Sequence, residues 1–306
     1  MITAVIVGLM IILSTKRRRM LLSRLIFDFV NRTEAKLARL YCGSRSIDGL
    51  EVFYHSNTKH FSNDKPVLVL LHGFSADKYV WNRFAKRFSS QYHLVIPDLK
   101  GHGQTAYHPD DDYSVPSQCQ MLLALLDQLN IKHFSIVGNS MGGMMAAKLF
   151  DEMPKRIEKA VLIDPAGAKS PFAQNMIDNK LNPFEHEVEQ DFFEFYDLIM
   201  AKPPFIPKFI LRALAWEYIN KRAQYTHMFH QFFNLRDFYS RDYQFDYPES
   251  MLIWGLNDKL LPVDDFTHWK LMLNSNTLIY EDLGHMPMVE DVKRVSKDIL
   301  SFLNKH

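Results

Sequence analysis

The sequence predicts an α/β fold: a mostly parallel central sheet flanked by helices, with a helical cap inserted late in the chain. Three observations carry this. Short apolar runs alternate with helix-spaced runs from about residue 50 to 167, and again from 251 onward. Between about 168 and 245 the alternation stops, and the segment is rich in Phe, Tyr, Met and Pro with no strand-like run between helices. At the centre of the first block, Val137-Gly138-Asn139-Ser140-Met141-Gly142-Gly143 joins an apolar run to a helix-like one. Such a sharp strand-to-helix turn presents its serine hydroxyl outward.

Composition bounds the rest. The chain has 306 residues, 47% hydrophobic and 23% charged, enough for one sizeable core or a core plus a cap. A net charge of +1 provides no basic field, so no nucleic-acid partner is expected. Cys42 and Cys119 are too few for a disulfide framework and lack metal-ligand spacing. They fit a reducing compartment, and no metal or cofactor is expected.

In chain order, Ile2–Ser14 is almost wholly apolar but spans only about 13 residues, short of the ~20 of a full crossing. Lys16-Arg17-Arg18-Arg19 follows it, whereas a secretory signal carries its charge in front. Residues 1–19 are therefore expected to be a short uncleaved membrane anchor or a surface-lying helix, and 20–45 a linking helix. The basic flank places the remainder on the cytoplasmic side, with a periplasmic or secreted location as the alternative. The α/β core is expected at 46–167 and 246–306, and the cap at 168–245. Strands are expected at Leu50–His55, Pro66–Leu71, Tyr92–Ile96, Ile157–Ile163, Met251–Trp254 and Asn276–Tyr280. Helices are expected at Tyr79–Phe88, Val115–Leu129, Val263–Leu273 and Met288–Asn304, and in the cap near Glu185–Met200, Pro207–Ile219 and Arg222–Asn234. Cys119 falls on the apolar face of its helix.

Ser140 is the candidate nucleophile. Gly138 and Gly142 leave room for its turn, and the following helix aims free N–H groups at any developing negative charge. A serine hydroxyl needs a base, and the base needs an orienting acid. Leu283-Gly284-His285-Met286-Pro287 and Trp254-Gly255-Leu256-Asn257-Asp258-Lys259 follow late strands and offer His285 and Asp258. Asp164, at the end of the strand before the cap, is the competing acid, while Asp264 and Asp265 suit a helix first turn. An oxyanion needs two backbone donors. These are expected from Met141 and from Phe74, in a loop turned by His72-Gly73. His72 and His102 are read as structural.

His72-Gly73-Phe74, the Gly138–Gly143 turn, Gly255-Leu256-Asn257-Asp258 and Gly284-His285 together resemble the α/β-hydrolase superfamily, from about Leu50 to the C-terminus. The superfamily order Ser–Asp–His supports Asp258 and disfavours Asp98. More narrowly, His72-Gly73-Phe74-Ser75-Ala76, Asp164-Pro165-Ala166-Gly167 and the apolar N-terminus resemble membrane-bound monoacylglycerol-lipase-like hydrolases with a helical cap. Phe195-Tyr196-Asp197, Lys202–Lys208 and Gly284–Glu290 resemble cold-adapted bacterial lipases. The resemblance implies a serine hydrolase acting on lipid esters; the apolar N-terminus with its basic flank points to a membrane surface as partner, and the excess of aromatic residues in the cap puts Phe192, Phe195, Phe205 and Ile206 in an acyl pocket. Carbon–carbon bond hydrolases of dienoate ring-cleavage products share Gly-Asn-Ser-Met-Gly-Gly and are the alternative, although Met286 stands where they usually carry an aromatic residue. Perhydrolases also carry Ser-Met at this turn, so peracid formation is a conceivable side activity. A non-catalytic binding protein is the reading from another class, but such relatives usually lose a member of the triad.

Overall fold

The computed structural model describes residues 15–62, 64–234, 236–238, 249–273 and 275–305. In order these form α1 (Lys16–Leu37), β1 (Tyr41–Ile47), β2 (Leu50–Ser56), β3 (Val67–Leu71), a 3₁₀ turn Lys78–Trp81 running into α2 (Asn82–Ala85), β4 (His93–Pro97) and α3 (Val115–Gln128). Then come β5 (Phe134–Asn139), α4 (Met141–Glu152), β6 (Ile157–Ile163), α5 (Pro171–Asp178), α6 (Glu189–Ile199), α7 (Lys208–Asn220) and α8 (Arg222–Phe232). The chain returns to the sheet with β7 (Glu249–Gly255), α9 (Val263–Met272), β8 (Asn276–Tyr280), α10 (Pro287–Glu290) and α11 (Val292–Leu303).

The eight strands lie in the order β1-β2-β4-β3-β5-β6-β7-β8. β1 and β2 are antiparallel, as are β2 and β4; every pair from β4 to β8 is parallel. Burial follows the period-2 pleat. Val69 and Leu71 of β3 pack with Leu122 and Leu125 of α3 and Met145 of α4. Leu68 and Leu70 face the other way, against Phe84, Phe88 and Ile299. Each such side chain contributes about 1.5–3 kcal/mol by leaving water, so the central strands anchor the loops at their ends.

Three sequence expectations change. The helix expected over 20–45 begins at Lys16, so no boundary falls at residue 19, and it stops at Leu37. Residues 41–45, read as helix, belong to β1, which pairs with β2 from Tyr41↔Ser56 to Ile47↔Leu50. Tyr-Cys-Gly-Ser-Arg-Ser-Ile has little apolar alternation because it lies at the sheet edge, and pairing rather than burial makes it a strand. The single helix expected at Met288–Asn304 is divided at Asp291, whose extended backbone (φ −137°) and side chain cap the Arg294 N–H at 3.0 Å. Among the described residues no helix is long and apolar enough to cross a membrane. The expected anchor falls mainly on residues 1–14, outside the described residues.

Candidate active site

The loops after β3, β5, β7 and β8 all leave the carboxyl edge of the parallel strands, where open α/β sheets bind their ligands. Ser140 follows β5 and stands at the N-cap position of α4 with φ 56° and ψ −117°, a conformation costing about 1–3 kcal/mol for a residue with a Cβ. Three backbone bonds hold it there. Its N–H donates to Ile163 O at 3.0 Å, and its carbonyl accepts Met144 N–H at 3.0 Å and Ala166 N–H at 3.1 Å. The flanking glycines are sterically required. A Cβ on Gly138 would lie 2.1 Å from Gly142 O, and one on Gly142 would lie 2.4 Å from Leu71 O.

Met141 is the first residue of α4, where N–H groups have no acceptor within the helix. The Gly73-Phe74 loop passes beside the serine: a Cβ on Gly73 would be 3.1 Å from Ser140 Cβ. The Phe74 ring packs beside Phe184 and stacks on Phe232. His72 shapes this loop by donating from Nδ1 to Gly73 O at 2.8 Å and accepting Leu99 N–H on Nε2 at 3.0 Å. Burial lowers its pKa to about 4, and that of neighbouring His102 to about 3, so both rings are neutral.

His285 Nδ1 lies 2.6 Å from Asp258 Oδ2. The other Asp258 oxygen accepts Leu260 N–H at 2.8 Å and Leu261 N–H at 2.9 Å, which fixes the carboxylate's plane. Asp164 is equally buried but does a different job. One oxygen accepts Gly255 N–H at 2.8 Å, and the other has no donor. Burial, then the negative charge of Asp258, raises its pKa well above the usual carboxylate range, which favours the neutral acid beside that carboxylate. Ligand-type atoms of Asp164, Asp258 and His285 lie within 4.8 Å of one another, but a metal there would have to break the Asp258–His285 pair. Asp98 is committed elsewhere, in a fully buried ion pair with Lys78. Asp264 and Asp265 occupy the first turn of α9.

A cavity of about 600 Å³ holds Ser140 and His285 in its wall. The four pocket residues read from the sequence, Phe192, Phe195, Phe205 and Ile206, line it. Two contributors were missed. Arg24, Phe27 and Asn31 of α1 form part of the wall, because α1 packs on α7 with Arg24 paired to Glu217. Asn139 donates its side-chain amide to His285 O at 2.9 Å and to Ile163 O at 3.2 Å, tying the histidine loop to the strand before Ser140. Position next to the serine hints at Asn139; nothing local to the sequence marks α1.

The family model described as alpha/beta hydrolase fold matches residues 66–292. Lipase 3 of Moraxella sp. (strain TA144) is 30% identical over 242 residues, 77% of this chain and 76% of that protein. The monoacylglycerol lipase ABHD6 of Mus musculus is 28% identical over 257 residues, covering 78% of this chain and 76% of its own. Among solved structures, a membrane phospholipase A described as a bacterial virulence factor matches with TM-score 0.81 and 26% identity, over 99% of this chain and 98% of that one.

Proposed function

Since the chain belongs to the alpha/beta hydrolase fold family, we propose that it is a serine hydrolase cleaving carboxylic esters of lipids through an acyl-enzyme. One observation carries the reading: His285, paired to Asp258 at 2.6 Å, shares a cavity wall with Ser140 on its strained turn. Ser140 Oγ attacks the ester carbonyl while His285 Nε2 takes its proton, then passes that proton to the departing alcohol. The oxyanion accepts the Phe74 and Met141 N–H groups. Asp258 keeps the proton on Nδ1 and stabilises the imidazolium. A water activated by His285 then splits the acyl–Oγ bond and frees the fatty acid. The helices between β6 and β7 act as the cap, and their aromatic lining together with the named lipases supports an acyl substrate.

Ser140→Ala tests this reading. The variant should stay folded, lose fluorophosphonate labelling and lose about 10⁴-fold or more in ester turnover. Near-normal turnover would overturn it.

The same reading places the enzyme at a membrane surface. Leu21, Leu25 and Phe29 form an exposed i, i+4, i+8 row on α1, and Phe205 at the cavity wall is 92% exposed. Lys16–Arg19 begin the same helix, each worth roughly 1 kcal/mol beside anionic lipid. Removing residues 1–19 and replacing Leu21, Leu25 and Phe29 by serine takes away the anchor, the basic flank and the apolar row together, and should release the protein from membranes while sparing water-soluble esters. A truncated protein that still pellets with membranes refutes the tether.

A further inference from the structure

We propose that Glu290 is a positioning residue for His285, and that it makes the histidine's placement depend on the cap segment 198–202. The proposal rests on the reading of His285 as the general base. One carboxylate gathers the backbone on both sides of the histidine. Glu290 Oε1 accepts Gly284 N–H at 2.9 Å and Met286 N–H at 3.3 Å, and Oε2 takes Gly284 N–H at 3.1 Å. Oε2 also accepts Lys202 N–H, from the cap, at 2.7 Å. A carboxylate bonded to several N–H groups is held more firmly than neutral partners would be.

The cap reaches the same loops by its own backbone. His285 N–H donates to Ile199 O at 3.0 Å, and Lys259 N–H, next to Asp258, donates to Leu198 O at 3.3 Å. The approach is close enough that a Cβ on Gly284 would lie 2.7 Å from Ala201 N. The Lys202 ammonium adds an ion pair with Asp282, which Arg294 also holds. Ile199 and Met200, in the middle of this stretch, line the cavity. An acyl chain pressing on them therefore presses on the carbonyl that holds His285. Without Glu290, the Gly284 and Met286 N–H groups lose their shared acceptor, and the backbone of His285 itself is left with its Ile199 and Asn139 bonds.

The full-length protein is tested as Glu290→Ala, Glu290→Gln, Lys202→Ala and Lys202→Pro. Three quantities are read: kcat and KM on a short and a long p-nitrophenyl ester, the downfield proton NMR signal of His285 Nδ1–H, and the thermal midpoint. Glu290→Ala should lower kcat about 100-fold, the cost of roughly an ångström of misplacement, with short-ester KM nearly unchanged and the downfield signal shifted or lost. Glu290→Gln keeps an acceptor oxygen and should lose about tenfold, which preserves the test if the alanine variant fails to fold. Beyond what Lys202→Ala deletes, Lys202→Pro removes the N–H donor to Glu290 and stiffens the backbone at 201–202. It should shrink the gain in kcat from short to long ester, whereas Lys202→Ala should keep it. A folded Glu290→Ala protein with kcat within about threefold of wild type and an unmoved signal overturns the positioning role. Equal chain-length gains in Lys202→Pro and Lys202→Ala overturn the coupling. Failure of the parent reading looks different: wild-type protein would not label with fluorophosphonate, while the signal would still report on Glu290.

Discussion

Asp258→Asn isolates the acid from its competitor. The replacement is nearly isosteric, and the two N–H groups of Leu260 and Leu261 dictate how it sits. They hold the oxygen now 2.8 and 2.9 Å away, so the Asn carbonyl takes that position and its NH₂ turns toward His285. At 2.6 Å, Nδ1 can meet that NH₂ only as an acceptor. The ring then carries its proton on Nε2 and cannot take one from Ser140. The expected loss in kcat is about 10⁴-fold, or roughly 5.5 kcal/mol. Asp164→Asn should behave otherwise, because burial already favours a neutral Asp164, and an amide is neutral too and keeps an oxygen for the Gly255 N–H. Its turnover should stay within about tenfold of wild type, the scale of one hydrogen bond. The assay is p-nitrophenyl ester hydrolysis under saturating substrate, with circular dichroism confirming the fold of each variant. A dead Asp164→Asn beside an active Asp258→Asn would refute the assignment of the acid.

Two further outcomes are expected. The lining of the 600 Å³ cavity should make kcat/KM rise from C2 to C10 p-nitrophenyl esters, by at most about 0.8 kcal/mol or roughly fourfold per buried CH₂, and a flat or falling profile rejects an acyl pocket. His72 gives a pH dependence. Its folded pKa of about 4 lies below the unfolded value, so its contribution is complete above about pH 6.5 and is lost as pH falls toward 4. The urea-unfolding gap between wild type and His72→Asn should therefore shrink from pH 7 to pH 4.5, and a gap independent of pH refutes the neutral-histidine reading.

The elements that the sequence made legible are those whose signal is local. Ser140 announces itself because Gly138 and Gly142 bracket it between an apolar strand and a helix. Asp258 and His285 follow β7 and β8, but Asp98 and Asp164 follow β4 and β6 as well, so the Ser–Asp–His order of the resemblance was needed to choose among them. β1 escaped because its partner β2, not its own pattern, makes it a strand. The Asp164–Asp258 contact joins residues far apart in the chain. It arises because β6 and β7 run parallel with Ile163 opposite Ile253, a register visible only once strand order is known. Asn139 and Glu290 act on the histidine loop through hydrogen bonds to its backbone, and such bonds leave no pattern in residue type.

The wall that α1 contributes to the cavity has an evolutionary consequence. Arg24, Phe27 and Asn31 stand on a helix that precedes the first strand of the sheet, far in sequence from Ser140, Asp258 and His285. Substitutions on that helix can reshape what enters the cavity without touching a strand end or a catalytic loop. On the proposed reading the chain has two distinct parts: a reaction centre constrained by glycines and buried carboxyls, and an entrance wall held instead by contacts such as Arg24–Glu217. Descendants of such a protein can diverge in substrate long before they diverge in chemistry.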